Sequence, residues 1–174
     1  IAYGGIYDHL GGGITRYSTD KLWKVPHFEK MLYDNGQVVS LYCEAYQKFK
    51  DEEYKQLVYG TLEFIERELM SKESAFYSAL DADSDGEEGK FYIWKKEELK
   101  PLLGEEYELF ADYYNVNRKG YWEHENYILL REEDDATLAK KHNLSVEELQ
   151  AKMAASENIL MSERDTRIRP GLDD

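Results

Sequence analysis

The sequence predicts a mainly α-helical fold with a small β-hairpin inserted between its helices, and three observations predict it. Phe28, Met31, Leu32, Val39, Tyr42, Tyr46 and Phe49 recur at helical spacing, and after a short link Tyr54, Leu57, Val58, Thr61, Leu62, Ile65 and Leu69 repeat the pattern. Between residues 76 and 94 the apolar period falls to two, as in a strand. Near the other end, Ser145 stands three residues before Glu148, which is the capping box that opens a helix.

Each element follows in order. Residues 4–26 carry Gly4-Gly5 and Gly11-Gly12-Gly13 among Tyr7, His9, Arg16, Tyr17 and Trp23, a composition that reads as a shaped loop packed on aromatics. Pro26 suits a first helical turn, so the first helix is expected over roughly 27–49. Asp51 is the expected N-cap of the next, with Glu52 and Glu53 at its positive end, and the two helices make an antiparallel hairpin. Phe76, Ser78 and Leu80 oppose Tyr77, Ala79 and Asp81, and together with the β-rich run Lys90–Trp94 they predict the inserted hairpin. Helical pattern resumes at 96–103 and 105–114, a short strand is expected at 127–130, a short helix at 135–142, and the capped final helix reaches about Arg164.

A length of 174 residues suits one domain with a true core, and 42% hydrophobic with 33% charged residues is globular composition. No apolar run approaches the ~18 residues of a membrane span. A formal net charge of −14 repels phosphate backbones and anionic lipid surfaces, so neither nucleic acid nor a membrane is an expected partner. The single cysteine, Cys43, excludes an internal disulfide and a CxxC pair and is expected in the core. The opening Ile1-Ala2-Tyr3-Gly4-Gly5, without Met or leader, and the closing turn signal Arg169–Asp174 lead to the expectation that residues 1–174 are an incomplete fragment of one domain of a longer cytoplasmic protein.

The run Gly4-Gly5-Ile6-Tyr7-Asp8-His9-Leu10-Gly11-Gly12-Gly13, then Arg16-Tyr17-Ser18, Trp23 and Val25–Asn35, closely resembles the signature of YyaL-type proteins and their vertebrate spermatogenesis-associated relatives. Tyr77–Ser84, Glu87–Tyr92, Gly120 with Trp122-Glu123, and Arg167 with Arg169-Pro170 and Asp173-Asp174 extend the resemblance to the end of the chain. Tyr121 and Lys95 depart from it locally. The resemblance implies a long protein in which a thioredoxin-like domain precedes an (α/α) toroid similar to six-hairpin glycosidases and N-acylglucosamine 2-epimerases. This chain would be part of that toroid, and the thioredoxin-like domain would be its partner within the same protein. A carbohydrate ligand, acted on by hydrolysis or epimerisation, is the function implied; a non-catalytic ligand- or protein-binding module is the alternative.

Candidate chemistry centres on His27, Lys30, Asp34 and Gln37, which at spacings of three and four share one strip of the expected helix. His27 with Asp34 would supply acid–base catalysis and Lys30 would bind ligand; the competing reading is an ordinary salt-bridged helix side. Asn35 falls on the apolar face, where its amide is expected to fix the preceding loop. Asp8 as a further acid, with His9, Arg16, Tyr17 and Trp23 as ligand-binding groups, suits a polyhydroxyl ligand, against a reading in which Tyr17 and Trp23 are core and Asp8 caps a turn. Glu123 adds a third catalytic carboxylate beside the ligand-binding Trp122. Asp81–Gly86 matches the first six positions of a calcium loop, but Tyr92 stands at the twelfth, so a solvated acidic turn and no metal are expected. No cofactor is expected. Leu41, Ala45 and Tyr33 lie off the main stripe of the first helix, so self-association, or cover by the rest of a longer protein, is expected there.

Overall fold

The computed structural model describes residues 1–174. The chain is mainly helical, with short antiparallel strand pairs joining its parts. Strands β1 (Tyr17–Ser18) and β2 (Pro26–His27) pair, and β3 (Lys30–Met31) leads directly into α1 (Leu32–Phe49). Helix α2 (Glu52–Phe64) ends in a π-helical turn, Ile65–Leu69. Strands β4 (Ala79–Leu80), β5 (Asp83–Ser84), β6 (Glu87–Glu88) and β7 (Trp94–Lys95) precede α3 (Lys96–Leu103) and α4 (Tyr107–Tyr113). After β8 (Asn126–Tyr127) come α5 (Asp135–Lys141), α6 (Val146–Arg164) and β9 (Leu172–Asp173).

The first helix starts at Leu32, five residues later than the apolar spacing predicts, and the reason lies in residues 26–31. Pro26, Phe28 and Lys30 are buried while His27, Glu29 and Met31 are partly exposed, which is the period of two of an extended chain. The buried cation Lys30 hides this alternation from a hydrophobicity count. The predicted strip is therefore split: His27 and Lys30 face opposite ways on extended chain, and only Asp34 and Gln37 lie on the helix.

The inserted hairpin is also smaller and elsewhere. β4 pairs with β3 and β9, β7 pairs with β8, and the true hairpin is β5–β6. Asp85 and Gly86 at its tip have φ of 53° and 76°, the two left-handed residues of a type I′ turn. The acidic run is thus a hairpin turn, in which Asp81 Oδ1 accepts from the Ala82 N–H at 2.6 Å and Asp85 pairs with Lys90 at 2.9 Å.

Caps fall where the sequence places them. Asp51 accepts from the Glu53 N–H at 3.0 Å, and Ser145 and Glu148 form the reciprocal box at 2.8 and 3.0 Å. The main core lies among α3–α6 and β7–β8, around Trp94, Leu99, Phe110, Leu138, Leu149 and Leu160. The α1–α2 hairpin contributes less: Val38, Leu57, Thr61 and Phe64 are buried, whereas Tyr33, Leu41 and Phe49 are at least half exposed, and Cys43 is half-buried rather than core.

The glycine-rich loop is fastened to α1 and α2. Gly12 and Gly13 have φ of 74° and 78°, and a Cβ on either would collide with the Gly60 carbonyl or the Phe64 ring. Asn35, fully buried, accepts from the Ile14 N–H at 2.7 Å and donates to the Ile14 and Met31 carbonyls at 3.0 and 2.8 Å. It fixes the loop, as its position on the apolar face implies. Asn35→Ala leaves the buried Ile14 amide group unpaired and is expected to cost about 2–4 kcal/mol in urea unfolding, against about 0.5 kcal/mol or less for Gln37→Ala on the exposed side.

Candidate functional site

The extended run 26–31 sends its charged residues into two different environments. Inward, Lys30 Nζ donates to Asp8 Oδ2 and to the Gly12 carbonyl, both at 2.8 Å, and lies over the Phe64 and Tyr92 rings. Arg164, in the last turn of α6, reaches both Asp8 oxygens at 3.0 and 2.8 Å. The Leu10 and Gly11 amides donate to Asp8 Oδ1 at 3.1 Å, and Arg67 Nη2 donates to the Gly11 carbonyl at 2.5 Å. Burial alone would raise the Asp8 carboxyl, but Arg164 and then Lys30 outweigh it and hold it well below the usual carboxylate range. Burial brings Lys30 down to about 8, opposed by Asp8. Sequence reasoning missed Arg164; nothing marks one arginine at a helix end as the partner of a residue 156 positions away.

His9 sits beside this centre with Nε2 bonded to the Gly4 carbonyl at 3.1 Å and its ring against Tyr7 and Tyr114. Burial, then the Arg131 charge, lowers its pKa to about 4. The cavity whose lining includes Asp8, His9, Lys30, Tyr92 and Arg164 offers about 30 Å³ to water-sized molecules, room for a water or a small ion and not for a sugar ring.

Outward, His27 is partly exposed, stacks on Tyr17 at 4.9 Å between ring centroids, and joins its Nδ1 to Glu88 Oε1 at 3.0 Å. Glu88 lines an open cleft of about 1070 Å³ that also takes in Glu98, Trp122, Glu123, His124 and Arg167. Trp122 packs on Phe28 at 5.4 Å, and Arg167, stacked 3.9 Å over Trp94, donates to the Phe91 and Ile93 carbonyls and to Glu98 at 3.1, 2.8 and 3.2 Å. Glu88, Glu98 and His124 are cleft residues that sequence reasoning missed; the period-two pairing of Glu87-Glu88 across a tight turn was the available signal.

The remaining candidates are dispersed. Arg16 is exposed and paired with Glu29 at 3.1 Å. Trp23, half exposed, adopts a left-handed φ of 59° and gives its carbonyl to the Gly5 N–H. Asp34 Oδ2 is buried without a partner, and burial raises that carboxyl.

No family model matches the sequence. Over 111 residues the chain is 47% identical to spermatogenesis-associated protein 20 of Homo sapiens and, over the same length, 46% identical to that of Rattus norvegicus, a stretch covering 60% of this chain and 14% of each relative. An uncharacterised protein of Caenorhabditis elegans is 34% identical over 198 aligned positions, covering 99% of this chain and 27% of the relative. These proteins are homologues of the chain. It spans 14% and 27% of their lengths, so it corresponds to a minor part of each. No helix is long and apolar enough to cross a membrane.

Two outcomes follow from this geometry. Asp8→Asn strands two buried cations and is expected to destabilise the fold by about 3–5 kcal/mol in chemical denaturation. His9 binds its proton more weakly folded than unfolded, so as pH falls from about 6.5 the unfolded chain takes up the proton first, and stability is lost until about pH 4. Thermal melts across that window are expected to fall by an amount equivalent to about 1–3 kcal/mol, and His9→Gln flattens this part of the profile.

Proposed function

We propose that this chain forms one wall of a binding site for a polyhydroxylated, carbohydrate-like ligand in a longer protein, with His27 and Glu88 as its acid–base pair. The observation that carries the reading is the His27–Glu88 hydrogen bond at the edge of the open cleft, with Tyr17 stacked on the ring. A carboxylate on one ring nitrogen orients a histidine and leaves the other to exchange a proton with a ligand hydroxyl or the carbon beside a carbonyl. Trp122 offers an aromatic face, and Glu123 a further carboxylate, in a space of the size that ligands occupy, and Tyr17 adds a second aromatic face beside His27. Asp34 lies near the Arg16–Glu29 pair, outside the lining of the cleft. Asp8, Lys30 and His9 serve the scaffold in this reading, since each is spent on interior partners. The (α/α) toroid would supply the opposite wall, and a thioredoxin-like domain of the same protein would be its neighbour; both rest on the resemblance in the sequence.

A non-catalytic ligand- or protein-binding module is the second reading, favoured by the saturation of Asp8 and by the pairing of Arg16 with Glu29. The two separate in one experiment on the full-length protein, combining saturation-transfer NMR over a panel of mono- and disaccharides with deuterium uptake from solvent into any that bind. The expected result is binding that His27→Ala and Glu88→Gln preserve to within about ten-fold, with exchange or turnover slowed at least about 100-fold. Binding with no exchange in any variant supports the second reading, and absence of binding to every sugar overturns the first.

A further inference from the structure

The interior centre has a feature that the function above does not use. Two of its polar atoms, Tyr92 Oη and Arg164 Nε, are buried without hydrogen-bond partners. Arg164 is 2% exposed, and both residues line each of the two small cavities that flank Lys30 and Asp8. Buried donors without acceptors are uncommon because each forfeits its hydration.

Asp8 cannot serve them. A carboxylate offers about four lone-pair sites, and the Leu10 and Gly11 amides, Lys30 and two Arg164 contacts already occupy them. The Gly12 carbonyl is taken by Lys30 and the Thr15 hydroxyl donates to the Ile6 carbonyl. The charges are also unequal: Lys30 and Arg164 are two cations against the single carboxylate of Asp8. The neighbouring Arg67 and Arg169 are matched by Glu68 and Asp165 and add no negative excess. Burial, then Asp8, pushes the Tyr92 hydroxyl up, so it stays a neutral donor. His9 is neutral above about pH 4 and does not alter the balance.

We infer that the cavity bounded by Lys30, Tyr92 and Arg164 is a binding site for a small monovalent anion of the size of chloride or bromide. Two orphaned donors and an unbalanced positive charge define the chemistry, and a cavity of about 30 Å³ sets the size, since one water-sized occupant needs about 10–15 Å³. The Asp8 charge opposes the anion, which limits affinity and excludes divalent oxyanions along with larger ligands. The anion would act as a structural counter-ion, binding the folded chain and not the unfolded one.

The test is a thermal melt at constant ionic strength in which sodium gluconate is replaced stepwise by chloride, then by bromide, with a bromide-soaked crystal measured for anomalous scattering. The expected result is a saturable rise of a few degrees in Tm over roughly 0–100 mM halide, and an anomalous peak between Tyr92 and Arg164. Tyr92→Phe keeps the ring and removes one donor, and is expected to weaken halide binding roughly ten-fold while the protein stays folded in gluconate. A Tm independent of the anion, a halide response unchanged in Tyr92→Phe, or a cavity holding only water in the soaked crystal overturns the inference.

Discussion

The structure depends on burying one carboxylate, that of Asp8, between two cations that arrive from distant parts of the chain. Lys30 comes from the extended run before α1 and Arg164 from the last turn of α6. Charge in a protein interior is tolerable only when paired and hydrogen-bonded, so this interaction demands that the loop, the run and the final helix all be in place together. It contributes less to net stability than an apolar core of the same volume would. What it supplies is registration, because a slip of one residue in the run 26–31 would send Lys30 out and His27 in.

That same alternation explains how the chain separates scaffold from surface. Pro26, Phe28 and Lys30 turn toward the aromatic interior of Phe64, Phe91 and Tyr92, and His27 and Glu29 turn outward to meet Glu88 and Arg16. The β5–β6 turn then carries Glu88 to His27, and Arg167, anchored on Trp94 and on the carbonyls before α3, closes one side of the cleft. The outer face inherits its geometry from the buried pair, since neither strand would hold its place if Lys30 left the interior.

Much of the frame was legible from residues. Asp51 and Ser145 act as caps because their side chains reach amides two or three positions on, and Glu148 because its carboxylate reaches back to the Ser145 amide, local relations that spacing reveals. Asn35 announced itself as an amide on an apolar face, and its bonds to Ile14 follow from the need to satisfy it. The start of α1 was not legible, because Pro26 and the spacing of Phe28, Met31 and Leu32 fit a helix as well as the alternation fits a strand, and only tertiary pairing with Tyr17 and Leu80 decides. The partners of Asp8 and His27 were hidden for a related reason: Arg164 and Glu88 are far away in sequence, and no local pattern links them.

Amide hydrogen exchange measures the central claim most directly. If the Asp8 centre binds the glycine loop to α6, the Leu10, Gly11 and Gly12 amides exchange only when the final helix opens, with protection close to that of Leu160 in the core. Rapid exchange of these loop amides while α6 stays protected would show that the loop opens by itself, and that the buried carboxylate does not tie the two ends of the chain together.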